Sequence, residues 1–138
     1  MDITSDIPLK KGGKPNINGY ETGKLFVEYF YTLWINNPEQ LAVDKIIGIN
    51  SKLQFKNTVY TGPDFINILK QFITSGLSIN NCNYEIFDTG SRQIQILVNG
   101  NMKIGTELHN FSQFIMIIYM GEKNDQKWFL TNSILTIN

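Results

Sequence analysis

From Gln93 to Ile104 the chain alternates. Ile94, Ile96, Val98, Met102 and Ile104 are interleaved with Gln93, Gln95, Asn99, Asn101 and Lys103. A period of two marks a strand with one face in a core. The next run abandons that pattern: Phe114, Ile115, Met116, Ile117, Ile118, Tyr119 and Met120 follow one another with no polar residue between them. In an antiparallel sheet one face normally meets water, so a strand apolar on both faces calls for a cover on its second face. The pattern predicts a partner protein.

Upstream the period lengthens to that of helices. Leu25, Phe26, Tyr29, Phe30, Leu33 and Trp34 recur every three or four residues, which predicts an amphipathic helix over Glu21–Trp34, ended by Asn36-Asn37-Pro38. Pro38 suits the first position of a second, short helix capped by Asn37, with Leu41, Ala42, Ile46 and Ile47 on its buried side. Around Leu53, Phe55, Val59 and Tyr60 the pattern predicts two short strands joined by a tight turn at Lys56-Asn57-Thr58. A third helix follows Gly62-Pro63, carries Phe65, Ile66, Leu69, Phe72 and Ile73 as its apolar stripe, and closes at Ser75-Gly76. Four strands complete the chain: Leu77–Phe87, Gln93–Ile104, Leu108–Tyr119 and Trp128–Ile137, separated by hairpin signals.

This order predicts an α+β domain in which three helices pack on one face of a strongly curved antiparallel sheet, enclosing a cone-shaped core. Gly100, inside an otherwise regular alternation, marks the expected bulge. Residues 1–19 are rich in Lys, Gly, Pro and Asn and read as a flexible tail, leaving 20–138 as the domain. Alternation places Gln95 and Leu97 of one strand, Phe114, Met116 and Ile118 of the next, and Ile134 of the last on the sheet's outer face. These six are the candidate interface residues.

A length of 138 residues supports one domain with its own core. Twelve basic residues balance twelve acidic ones, so no overall field attracts nucleic acid or an anionic membrane. The one basic cluster, Lys10, Lys11 and Lys14, lies in the tail among Gly12, Gly13 and Pro15 and reads as solvated. A lone cysteine, Cys82, with no signal-like apolar run after Met1, points to a reducing compartment. No segment approaches the roughly 18 consecutive apolar residues of a membrane-spanning helix. Asn110-Phe111-Ser112 fits the glycosylation pattern but opens a strand, and chance accounts for it.

Candidates for chemistry are few. His109, the single histidine, falls in a polar hairpin where solvation explains it better than general-base work. Asp44, Asp64 and Asp88 sit at a helix end, a helix start and a turn, where capping explains them. Tyr29, Tyr31, Tyr60 and Tyr84 could line a cavity but fit core positions with a hydrogen-bonded tip. Cys82 has no basic neighbour in sequence to activate it. There is no Cys/His cluster, calcium-binding loop or phosphate-binding glycine motif. No cofactor, metal or enzymatic activity is expected.

Five short motifs in order resemble the nuclear transport factor 2 family over about Glu21 to Ile137. Phe26-Val27-Glu28-Tyr29-Phe30-Tyr31 is similar to its first-helix signature, and Tyr60-Thr61-Gly62 to the glycine before its third helix. Val98-Asn99-Gly100-Asn101 is similar to its Val-x-Gly strand end, Phe111-Ser112-Gln113-Phe114 to its Phe-x-Gln-x-Phe-type strand, and Trp128-Phe129-Leu130-Thr131-Asn132 to its closing aromatic strand. The resemblance implies the same cone-shaped fold and carries interface roles onto Leu97, Phe114 and Ile134. If each loses about 100 Å² of apolar surface, roughly 25 cal/mol per Å² yields a few kcal/mol before the costs of association.

Differences from the family narrow the function. The Ran carrier uses acidic residues where this chain has Lys56 and Gly105-Thr106, with Glu107 the one acid nearby. A lysine facing a basic partner costs up to several kcal/mol at an interface, so Ran-GDP is disfavoured. The ending Asn132-Ser133-Ile134-Leu135-Thr136-Ile137 is more similar to the small subunit of the fungal-type mRNA-export receptor, although that subunit's long loop insertions are absent, and the compact metazoan small subunit is an equal model. The resemblance then implies a heterodimer with a larger homologous domain, docking on Phe-Gly nucleoporins, carrying mRNA only indirectly, without a membrane, and shuttling between the nucleus with its pores and the cytoplasm. Two alternatives stay open: a homodimeric carrier or scaffold that binds Phe-Gly peptides, which the chain's brevity disfavours, and a cavity enzyme of isomerase or dehydratase type.

Overall fold

A computed structural model describes residues 19–122 and 125–138 of the chain; the lysine cluster and the rest of the expected tail before Gly19 lie outside the described residues. The elements run α1 (Gly19–Asn36), α2 (Gln40–Val43), β1 (Ile47–Phe55), β2 (Thr58–Thr61), α3 (Pro63–Thr74), β3 (Leu77–Asp88), β4 (Gln93–Ile104), β5 (Glu107–Glu122) and β6 (Asp125–Ile137). The six strands form one sheet in the order β2-β1-β6-β5-β4-β3, and three helices pack on one of its faces.

The sheet is mixed rather than wholly antiparallel. β6 inserts between β5 and β1 and runs parallel to β1, with Lys52 opposite Asn132 and Phe55 opposite Leu135. The β1–β2 hairpin and the meander from β3 to β6 account for the antiparallel pairs. The β1–β2 turn places Lys56 and Asn57 at φ 50° and 63°, the left-handed pair that a two-residue hairpin requires to match strand twist.

Helix α1 buries Phe26, Val27, Phe30, Tyr31 and Trp34, whereas Leu25, Tyr29 and Leu33 of the expected stripe sit half-buried on its flank. Phe26, Phe30 and Trp34 of the expected stripe lie at its centre, joined by Val27 and Tyr31 on one side of them. Trp34 is the hub: its ring meets Phe30, Tyr31 and Phe72, and its indole N–H donates to the Leu69 carbonyl at 3.1 Å. Helix α3 buries Phe65, Ile66, Leu69 and Phe72, as the periodicity indicates, while Ile73 is half-buried.

The second helix is a single turn with Leu41 as its buried anchor; Ala42 is exposed, and no side-chain cap closes its start. Ile46 and Ile47 are buried, but from the turn after the helix and from the first residue of β1. Lys45, at φ 58°, breaks the helix before it could carry them.

The bulge lies on β3, not at Gly100. The β4–β5 register runs unbroken past Gly100, paired with Phe111, while β3 shifts between Asn80 and Asn83 with Asn81 at φ 55°. Gly100 is needed for another reason: a Cβ there would stand 2.9 Å from the Phe111 ring and 3.1 Å from the Asn80 carbonyl oxygen. The ring fills the space a side chain would take, and the curvature falls on the neighbouring strand.

Candidate functional site

The strand β5 shows why its sequence does not alternate. Phe111, Gln113, Ile115, Ile117 and Tyr119 point into the core and are buried, while Phe114, Met116 and Ile118 point out and are half-buried. Registers then assemble rows across the outer face. One row is Glu85, Leu97, Phe114, Ile134 and Gln54. The next is Phe87, Gln95, Met116, Asn132 and Lys52. All six candidate interface residues therefore share one face. Ile134 is 45% exposed and Phe87 53%. The centre of this surface carries no charge; Glu85 stands on the edge strand β3, and Lys52 on β1, one strand in from the opposite edge.

Phe129 belongs to the same face, opposite Ile118, and the alternation hid it. An extra residue at Thr131, where the β5–β6 register shifts between Met116 and Ile117, inverts parity along β6. Toward the wide end of the sheet the outer face becomes an amide ladder. Asn81 donates to Asn101 at 3.2 Å, Asn101 to Asn110 at 2.8 Å, and the Ser112 hydroxyl to Asn99 at 2.6 Å.

The inside of the cone holds a short polar chain. The Tyr31 hydroxyl donates to Gln113 Oε1 at 2.6 Å, Gln113 Nε2 donates to Ser133 Oγ at 2.9 Å, and Ser133 Oγ donates to the Phe114 carbonyl at 2.8 Å. Burial, then the charges that Cys82 and Tyr84 would carry, hold the Tyr31 hydroxyl well above its ordinary pKa. Burial also pushes the Cys82 thiol up, the opposite of an activated nucleophile. Among the described residues the buried polar side chains besides Tyr31 include Tyr119, Thr22, Ser51, Gln113 and Ser133; no carboxylate or imidazole is buried with them. Tyr29 donates to the Asp44 carboxylate at 2.7 Å, and Gln40 does so at 2.8 Å, which ties α1 to the end of α2. Asp88 accepts from the Gly90 N–H in its turn, and Asp64 lies in the first turn of α3.

A groove of about 460 Å³ opens at the wide end of the cone between Phe55, Phe72, Ile104 and Ile137. Lys56, Glu107 and His109 line it too. His109 is half-buried, with Nδ1 3.2 Å from the Asn138 carbonyl oxygen and Nε2 3.4 Å from the Glu107 carboxylate. No group of three potential metal ligands occurs among the described residues, and no described helix is long and apolar enough to cross a membrane.

This architecture is the cone-shaped nuclear transport factor 2-like fold. Among solved structures the chain is similar to nuclear transport factor 2 from Cryptosporidium parvum, at 19% identity and a TM-score of 0.61 over 89% of this chain and 97% of that one. It is similar also to the yeast UBP3-associated protein Bre5, at 19% identity and a TM-score of 0.66 over 89% and 98%; a Bre5 cofactor complex with the deubiquitinase Ubp3 matches as well. A scytalone dehydratase-like protein of Novosphingobium aromaticivorans matches at 20% identity and a TM-score of 0.58 over 84% and 80%. At these identities the likeness concerns the fold. No family model matches the sequence, and no curated protein matches it.

Proposed function

We propose that this chain is a non-enzymatic pairing module whose outer sheet face packs against the sheet of another nuclear transport factor 2-like domain. In its specific form it is the small subunit of a nuclear mRNA-export receptor, which pairs with a larger homologous subunit, docks on Phe-Gly nucleoporins and shuttles through the pore. The observation that carries this reading is the uncharged surface built by Leu97, Phe114, Met116, Ile118, Phe129 and Ile134, apolar across three adjacent strands. Contiguous apolar surface of this kind is covered in working proteins, and the flat face of a sheet fits another sheet.

The contents of the core support the absence of catalysis. The Tyr31–Gln113–Ser133 chain satisfies its own donors and acceptors, and the Tyr29–Asp44 pair closes a helix seam. Lys56 beside the wide-end groove argues against a basic partner such as Ran-GDP there. A second reading, a homodimeric scaffold for Phe-Gly peptides, is favoured by the likeness to Bre5, which has been solved with its partner deubiquitinase.

Light scattering across a concentration series tests both. A chain that stays monomeric or aggregates alone, and becomes well behaved when co-expressed with a larger homologous domain, supports the export subunit. A stable dimer near twice 15.8 kDa supports the scaffold. Phe114→Glu should abolish either association while leaving the helical circular dichroism intact; association that survives it would refute pairing through this face.

A further inference from the structure

The registers that assemble the outer face also fix where its charges stand. Leu97 on β4, Phe114, Met116 and Ile118 on β5, and Phe129 and Ile134 on β6 centre the apolar surface on β5. Glu85 lies two strands to one side of β5, on β3, and Lys52 two strands to the other, on β1. They belong to adjacent rows, one two-residue step apart along the strands. Both are exposed, and neither forms an ion pair among the described residues. Lys56, Lys103 and Lys127 lie beyond these rows, in the β1–β2 turn and, opposite Leu108 and Met120, toward the two ends of the sheet.

Two equivalent sheets packed face to face are related by a half-turn about a line lying between them. If that line runs across the strands, each strand lies on its own mate. Glu85 then meets Glu85 and Lys52 meets Lys52, so like charges oppose each other in both places. If the line runs along β5, the two sides are exchanged. β3 of one copy then lies over β1 of the other, Leu97 faces Ile134, and Phe114 rests on its own mate. Glu85 faces the neighbourhood of Lys52 twice over. The one-step offset between their rows is roughly 7 Å, which the two extended side chains span together. Both choices lay apolar residues on apolar residues, and charge separates them.

We infer that the outer face pairs with a second copy of this chain by a half-turn about a line along β5, with Glu85 of each copy meeting Lys52 of the other. The inference rests on pairing through this face, in the reading where the partner is another copy. The apolar rows supply the contact, and the two rim charges set its orientation.

Within one copy Glu85 and Lys52 stand four strands apart, about 19 Å at the usual strand spacing, too far to touch. Any compensation between them must cross to another copy. Sedimentation equilibrium at low salt gives the dimer dissociation constant of the native chain, of Glu85→Lys, of Lys52→Glu and of the double variant, none of which alters a buried residue. Each single reversal turns two attractions per dimer into repulsions and should weaken it about tenfold or more. The double variant should return to within about threefold of the native constant, and high salt should shrink every difference. Single reversals without effect, or a double variant no tighter than the singles, would overturn the inference; a dimer still lost in Phe114→Glu would leave pairing through the face standing. A dimer that Phe114→Glu leaves intact would overturn both. A chain that stays monomeric at every concentration would overturn the second copy as partner.

Discussion

Replacing Gln113 by leucine should cost about 2 kcal/mol of stability, through hydrogen bonding more than through shape. Gln113 is fully buried in the middle of β5. Its carbonyl accepts from Tyr31 at 2.6 Å and its amide donates to Ser133 at 2.9 Å. Leucine fills similar space but leaves the Tyr31 hydroxyl, itself buried, without an acceptor, and a stranded buried donor costs about 1–3 kcal/mol. Ser133 loses one donor and keeps its own bond to the Phe114 carbonyl at 2.8 Å, so the loss falls mainly on Tyr31. Tyr31→Phe strands the Gln113 carbonyl instead, at about 1–2 kcal/mol. The double variant removes both ends together, so its cost should undercut the sum of the single costs by about 1–2 kcal/mol. Urea unfolding followed by tryptophan fluorescence reads this cycle directly, since the Trp34 ring lies 5.9 Å from that of Tyr31. Thermal melts should shift by roughly 3–5 °C per kcal/mol for a domain of this size. Single costs that add to within about 0.3 kcal/mol, or a leucine variant as stable as the native chain, would refute the network.

Tyr31 also sets an alkaline limit. Its hydroxyl pKa is raised in the folded chain, by burial first, whereas the unfolded chain ionises near the ordinary value of about 10. The stability it contributes is therefore complete below about pH 10 and is lost as pH rises toward the folded value. The urea midpoint should fall above that pH, and Tyr31→Phe should make the fall shallower; an unchanged slope in that variant would remove the assignment. Gly62→Ala should cost about 1–3 kcal/mol in a thermal melt, because φ is 57° and the new Cβ would stand 2.9 Å from the Ile49 carbonyl oxygen. Alanine at Gly48, where a Cβ meets nothing, should cost much less, and equal costs would show that strain is not the cause.

Much of the fold could be read from local pattern. The burial of Ile94, Ile96 and Val98, the outward placement of Leu97 and Phe114, and the tight turn at Lys56-Asn57-Thr58 follow from residues whose spacing and backbone preferences act over a few positions. The second helix misled because Leu41, Ala42, Ile46 and Ile47 have helical spacing, yet Lys45 ends the helix and hands Ile46 and Ile47 to the sheet. Gly100 did mark crowding in the sheet, but the bulge that relieves it sits across the ladder at Asn81. Phe129 escaped because one extra residue, Thr131, reverses the inward and outward order of a strand.

The sequence by itself determined the elements, their order, and the existence of an apolar outer face, because hydrophobic period, glycine and proline act within a turn or two of the chain. The tertiary structure alone decided that β6 lies parallel to β1, that Tyr31, Gln113 and Ser133 form one buried chain, and that Val43, Ile49, Pro63 and Phe129 enclose a groove. Those residues are far apart in sequence. They meet only after loops close and strand registers lock, steps set by the summed packing of the whole core rather than by any residue's own preference.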